Sequence, residues 1–191
     1  MNCYFCGAND NVQQKANWQV CRTCTQLSKK CSKGEGLYYH VLNRQYVAGD
    51  QPDLSVGKLL VLDLHNVTDQ VPPAELDAVL AETKVDKVVV LSFVGTTTDT
   101  RVEADTQIRE IVAAIKSKPI DGYLCFKRGD HVRPGNKGGF IAASGASQVY
   151  FLDDSSDHIA AGTAAGAMCT QIPNPTEADS KAAVLETLKL L

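Results

Sequence analysis

From residue 58 onward, short unbroken apolar runs alternate with longer stretches in which apolar residues recur at helical spacing, and this alternation constrains the fold more than any other feature. The runs are "KLLVLD" (58–63), "KVVVLSF" (87–93), "DGYLCF" (121–126), "SQVYFLD" (147–153) and "AMCTQI" (167–172). A strand with no polar face must be covered on both sides, which is the condition of a parallel sheet between helical layers. Between the runs lie "PAELDAVLAET" (73–83), with proline at its start, and "DTRVEADTQIREIVAAIKSK" (99–118). In the second of these, Ile108, Ile111, Val112 and Ile115 form an apolar stripe. A short helix from about Lys137, one near 157–166 and a terminal one over 176–190 complete the order. The expected fold is α/β, a doubly wound parallel sheet spanning 58–191.

In such sheets ligands bind beyond the carboxyl ends of the strands. The first run ends on Asp63, the second has Ser92 near its end, and the fourth ends on Asp153–Asp154, with Lys137 sixteen residues before Asp153. A carboxylate at the end of a buried strand is costly to desolvate unless its charge is used. Two acids from separate strands can hold Mg²⁺ through oxygen ligands. With Lys137, the ion would offset repulsion between Asp63 and an incoming phosphate, so that Asp63 could attack phosphorus while Ser92 donated to a phosphate oxygen.

The amino-terminal region is of another kind. Five of the seven cysteines fall in the first 31 residues, and an odd count argues for metal or free thiols over a disulfide framework. "CYFC" and "CRTC" are two Cys-x2-Cys knuckles fourteen residues apart. Cys3, Cys6, Cys21 and Cys24 can present four thiolates to one tetrahedral ion, and the pattern resembles a zinc ribbon with structural Zn²⁺. Cys31 reads as a spare, with replacement of one of the four ligands as the alternative. Residues 1–33 hold five Lys/Arg against Asp10, a formal +4 that four thiolates on Zn²⁺ reduce to +2. That is a weak footprint for nucleic acid. A protein partner is at least as well suited to the module, and both remain expectations. Residues 34–57 are expected as a connector whose tyrosines pack on a neighbouring module, with His40 packed or solvated and not a ligand. The chain carries a net −3, with +2 on residues 1–57 and −5 on the remainder. The start has no basic segment followed by an apolar core, and no apolar run reaches bilayer length, so a cytoplasmic location without membrane contact is expected.

The ordered set on residues 58–172 resembles the haloacid dehalogenase superfamily of phosphohydrolases. "LLVLDLHNV" is similar to the first motif, an apolar strand ending Asp-x-Asp-x-Thr/Val. "VVVLSF" resembles the second, "NKGGF" the third, and "VYFLDDSSDHIAAGTAAGAMCTQIP" the acidic fourth with the helix and strand after it. The resemblance implies Asp63 as nucleophile, Ser92 and Lys137 as phosphate- and charge-handling residues, and Mg²⁺ on Asp63, the main-chain carbonyl of His65 and Asp153. Asp154 or Asp157 would give support. The sequence departs from the family at His65, where the second aspartate is the acid/base. Imidazole, with an ordinary pKa of about 6.5 against about 4 for a carboxyl, can do both jobs. A working histidine, a binding protein without efficient turnover, and a different transfer reaction all stay open. Twenty-four residues separate Val67 from Ser92, too few for a folded cap, which suits an accessible or large phosphorylated substrate. "FKRGDHVRPGNKGG" (126–139) gathers basic residues beside the same rim, with Arg128 and Arg133 as candidate phosphate clamps. Cys125 and Cys169 read as core residues.

Overall fold

A computed structural model describes residues 12–15, 18–22, 38–47, 54–94, 98–126, 136–173 and 180–191. The strands are β1 (Val12–Lys15), β2 (Trp18–Cys21), β3 (Tyr38–His40), β4 (Gln45–Val47), β5 (Lys58–Leu62), β6 (Lys87–Val94), β7 (Ile120–Phe126), β8 (Gln148–Asp153) and β9 (Met168–Gln171). The helices are α1 (Pro73–Glu82), α2 (Thr98–Ala114), α3 (Asn136–Ala143), α4 (Ser156–Ala164) and α5 (Ser180–Lys189). Among them, β3 to β9 form one sheet in the order β4-β3-β7-β6-β5-β8-β9. The five strands from β5 onward are mutually parallel, and β3 joins the edge antiparallel to β7.

Side-chain alternation sorts each central strand onto two layers. Leu60 and Leu62 of β5 pack with Leu76 and Leu80 of α1, Ile108 and Ile111 of α2 and Val184 and Leu188 of α5. Leu59 and Val61 point the other way and pack with Phe140 and Ile141 of α3, joined by Ile159 of α4. Helices therefore cover both faces, as the unbroken apolar runs require. Gly122 of β7 lets α2 lie close, since a Cβ there would sit 2.1 Å from Ile108 Cγ2. Cys125 is buried in the second layer and Cys169 packs against it.

The segment expected as a connector does more than connect. Tyr38 and Tyr39 are almost fully buried, and their strand pairs Tyr38 with Cys125 and His40 with Tyr123. A three-residue strand is too short to show a period, so nothing in the local pattern separates it from a turn-rich loop. Its tyrosines do pack as expected: Tyr38 meets Phe140 edge-on at 5.1 Å. His40 stacks on Tyr123 at 4.7 Å and its Nε2 lies 2.7 Å from Asp121 Oδ1, while Lys87 Nζ lies 2.6 Å from Oδ2.

Burial alone would raise the Asp121 pKa, but the hydrogen bonds and charges of His40 and Lys87 outweigh it, and the net shift is below the ordinary 3.8. A depressed carboxyl pKa contributes stability above the unfolded value and loses it as the pH falls through the folded one. Asp121→Asn is accordingly expected to cost about 1–2 kcal/mol at pH 7. Urea midpoints should show the parent's advantage shrinking once the pH drops below 3.8.

In the amino-terminal region β1 and β2 pair antiparallel, Val12 with Cys21 and Lys15 with Trp18. Cys21 closes β2, and Cys3, Cys6 and Cys24 lie outside the described residues. No helix among the described residues is long and apolar enough to cross a membrane.

Candidate active site and metal centre

The chain leaves β5 toward β6 and β7 on one side and later returns to β8 and β9 on the other. The carboxyl ends of β5 and β8 thus flank the topological switch point, where an open α/β sheet forms its ligand crevice. Asp63 and Asp153 stand at those two ends.

Asp63 extends the β5–β8 ladder by one step, its N–H donating to the Leu152 carbonyl at 2.9 Å. The backbone then folds back on itself. Thr68 donates to the Asp63 carbonyl through both its N–H and its hydroxyl, and the Asp69 N–H donates to Leu64 O at 3.0 Å. Asn66 takes a left-handed φ of 63°, a conformation asparagine tolerates better than most residues. The turn buries Leu64 and Val67 in the core and leaves His65 and Asn66 half-buried at the rim. On β6, the fully buried Ser92 has its Oγ 3.4 Å from His65 Nδ1.

Lys137, in the first turn of α3, is fully buried. Its Nζ lies 2.7 Å from Asp63 Oδ1 and 2.5 Å from Asp153 Oδ2, joining acids 90 positions apart in sequence. Gly138 helps to set that reach, because a Cβ there would sit 2.6 Å from the Ala161 carbonyl of α4. Asp63 Oδ1 also accepts from the Leu64 N–H at 2.8 Å. Asp153 Oδ1 accepts from the Ser155 N–H at 2.9 Å, and His158 Nδ1 lies 3.1 Å from Oδ1 and 3.2 Å from Oδ2. Asp154 is tied through Asn66 Nδ2, which donates to Oδ2 at 2.7 Å, and through Gln171 Nε2, which donates to its carbonyl at 3.1 Å.

The two buried acids are not equivalent. Burial pushes the Asp63 pKa up; Lys137 opposes this, the Asp153 charge adds to it, and the net shift is upward. At Asp153 burial acts in the same sense but is outweighed by the His158 hydrogen bond and the Lys137 charge, leaving its pKa lowered. Burial would discharge Lys137, yet the two facing carboxylates more than compensate and its pKa is raised. One cation between two carboxylates leaves a formal −1, and ionised Asp154 makes it −2.

One oxygen from each of Asp63, Asp153 and Asp154 lies within 4.8 Å of the other two. Three hard oxygen donors and a −2 balance suit a divalent cation of the magnesium type, not a soft metal. Asp157, expected as an alternative support, is exposed in the first turn of α4 and does not belong to this group. Of the residues singled out from sequence, Asp63, Lys137, Asp153 and Asp154 come together and His65 and Ser92 pair beside them. Arg128 and Arg133 lie outside the described residues. Two contributors were not read from sequence. His158 looked only like a helix start, although five residues after Asp153 places it in the first turn of α4, facing back toward the strand end. Asn66 had one usable signal, an asparagine in a turn after a strand. Comparison with protein-family models, curated proteins and solved structures finds no match to this chain.

Proposed function

We propose that the protein is a magnesium-dependent phosphohydrolase of the haloacid dehalogenase type, working through an aspartyl-phosphate on Asp63. The observation that carries this reading is the meeting of Asp63, Asp153 and Asp154 around one point at the switch of the sheet, with Lys137 bridging the first two. The three carboxylates would hold Mg²⁺, with the His65 carbonyl as the resemblance implies, and the ion would supply positive charge to the phosphate oxygens.

Asp63 supplies the attacking oxygen. Its Oδ1 is held by Lys137 and the Leu64 N–H, which leaves Oδ2 to bond phosphorus as the P–O bond to the leaving group breaks. His65, with Nδ1 beside Ser92, gives its Nε2 proton to the departing oxygen. It then takes a proton from the water that splits the aspartyl-phosphate, which restores the carboxylate and releases phosphate. Ser92 and Lys137 serve the phosphate oxygens and the Asp63 charge. Arg128 and Arg133 remain the proposed clamps. The residues between Val67 and Ser92 are taken up by a 3₁₀ turn, α1 and the start of β6, which supports an uncapped site and an accessible or large substrate.

One observation favours a second reading, a catalytically weak adaptor that binds phosphate groups or nucleic acid. Lys137 is in direct contact with the proposed nucleophile, and an ammonium ion there attenuates its charge. Turnover separates the two. On a panel of aryl and alkyl phosphates over a pH series, phosphate release is expected with added Mg²⁺ and to fall at least about tenfold when Mg²⁺ is omitted. Absence of release across the whole panel would favour the adaptor. The zinc ribbon on Cys3, Cys6, Cys21 and Cys24 is proposed as the module that meets a protein or nucleic-acid partner.

A further inference from the structure

We infer that Asn66 is a positioning residue that holds Asp154 toward the ion. This rests on the reading of Asp63, Asp153 and Asp154 as a magnesium site.

Lys137 neutralises part of the charge on Asp63 and Asp153 by direct contact, whereas the Asp154 carboxylate accepts from a neutral donor, the Asn66 amide at 2.7 Å. The difference matters. An ammonium ion on Asp154 would compete with a divalent cation for the same charge, while an amide fixes the carboxylate and leaves its charge for the ion.

Asp154 needs such a tie because it follows the last residue of β8 and is half-buried at the rim, outside the ladder that fixes Asp153. Its main chain is held by Gln171 from β9 and its carboxylate by Asn66 from the turn after β5. The two ties come from opposite sides of β8. Asn66 can reach because its φ of 63° turns the chain back over the carboxyl end of the sheet. One asparagine therefore serves twice: its backbone makes the turn that presents Asp63, and its side chain sets the third ligand.

Glycine at 66 separates the two duties, since it adopts a positive φ without strain and has no amide to donate. Mn²⁺ titrated into the full chain and followed by electron paramagnetic resonance reads bound and free ion directly, without turnover. Asn66→Gly is expected to weaken Mn²⁺ binding about tenfold, in the range seen when partners of metal ligands are removed. Its melting temperature without added Mn²⁺ should fall by no more than about 4 °C, the lost amide–carboxylate bond being partly offset by the ease with which glycine takes the positive φ. In an Asp154→Ala background, Asn66→Gly should change the affinity less than about twofold, because the residue it acts through is already gone.

Parent-like Mn²⁺ affinity in Asn66→Gly, with the parent binding one ion, would overturn the inference and leave the metal site standing. A further tenfold loss in the Asp154→Ala background would overturn it too, since Asn66 would then act by another route. A parent that binds no Mn²⁺ would remove the metal site and this inference together.

Discussion

Asp63→Asn is expected to reduce phosphate-ester hydrolysis by a factor on the order of 10⁴ or more while leaving the protein folded. The substitution keeps the shape of the side chain and an oxygen able to accept from the Leu64 N–H. In the proposed mechanism it removes the negative oxygen that bonds to phosphorus, and a neutral amide is a far poorer nucleophile. Stability should change much less. Burial already disfavours the ionised form of Asp63, as its raised pKa records, so the amide avoids a desolvation cost even as it forfeits the ion pair with Lys137. These opposed effects are expected to leave a net change within about 1–2 kcal/mol. Rates on the best substrate of the panel, set beside urea midpoints in magnesium-free buffer, check both halves. Full activity in Asp63→Asn would remove the aspartyl-phosphate from the mechanism.

Lys137→Met should show the reverse balance, a large loss of stability together with loss of activity. The ammonium ion is fully buried between Asp63 and Asp153, and methionine fills much the same volume without charge. Removing one partner of a buried ionic cluster leaves the others uncompensated, which costs about 3–5 kcal/mol. Lys137 lowers the Asp63 pKa by charge and by hydrogen bonding, so its removal pushes that already raised value further up. A carboxyl whose folded pKa lies above its unfolded value destabilises the fold at higher pH and ceases to do so as the pH falls and it binds a proton. The deficit of Lys137→Met should therefore be greatest at neutral and alkaline pH and narrow on acidification. Added Mg²⁺ should also narrow it, because a site that has lost its ammonium ion carries one more uncompensated negative charge, holds the cation more tightly than the parent's and is stabilised more by it. Chemical denaturation at several pH values, with and without Mg²⁺, makes the comparison. A deficit that grew on acidification would contradict the assigned geometry.

How far such a site can be read from residues alone depends on how each part is held. The central strands were legible because they are buried on both faces. The runs at 58–63, 87–93, 121–126 and 147–153 coincide closely with β5, β6, β7 and β8, and a continuous apolar stretch bounded by turn residues has few other uses in a chain of this kind. Asp63, Ser92 and Asp153 were legible for the opposite reason, as polar residues at the ends of buried strands where desolvation would be costly unless their charge or hydroxyl were used. Lys137 was read from its place before the Asp153 strand and from the family resemblance. The β3–β4 hairpin was not legible. Tyr38 and Tyr39 carry strand propensity, but three residues show no alternation, and their burial depends on β7 lying alongside them. Nor did residues alone reveal that His158 touches Asp153, since a histidine in the first turn of a helix has many partners open to it.

Local composition was sufficient for the elements of the α/β domain and for the chemical character of its strand ends, because both follow from which side chains water will accept. It left undetermined which strands are neighbours, and so which acids meet. The order β7-β6-β5-β8-β9 brings Asp63 beside Asp153 and carries Asn66 across 88 positions to the Asp154 carboxylate. A hydrogen bond at that sequence separation has no local signature. It exists because β5 and β8 lie side by side in the sheet, and only the tertiary structure decides that.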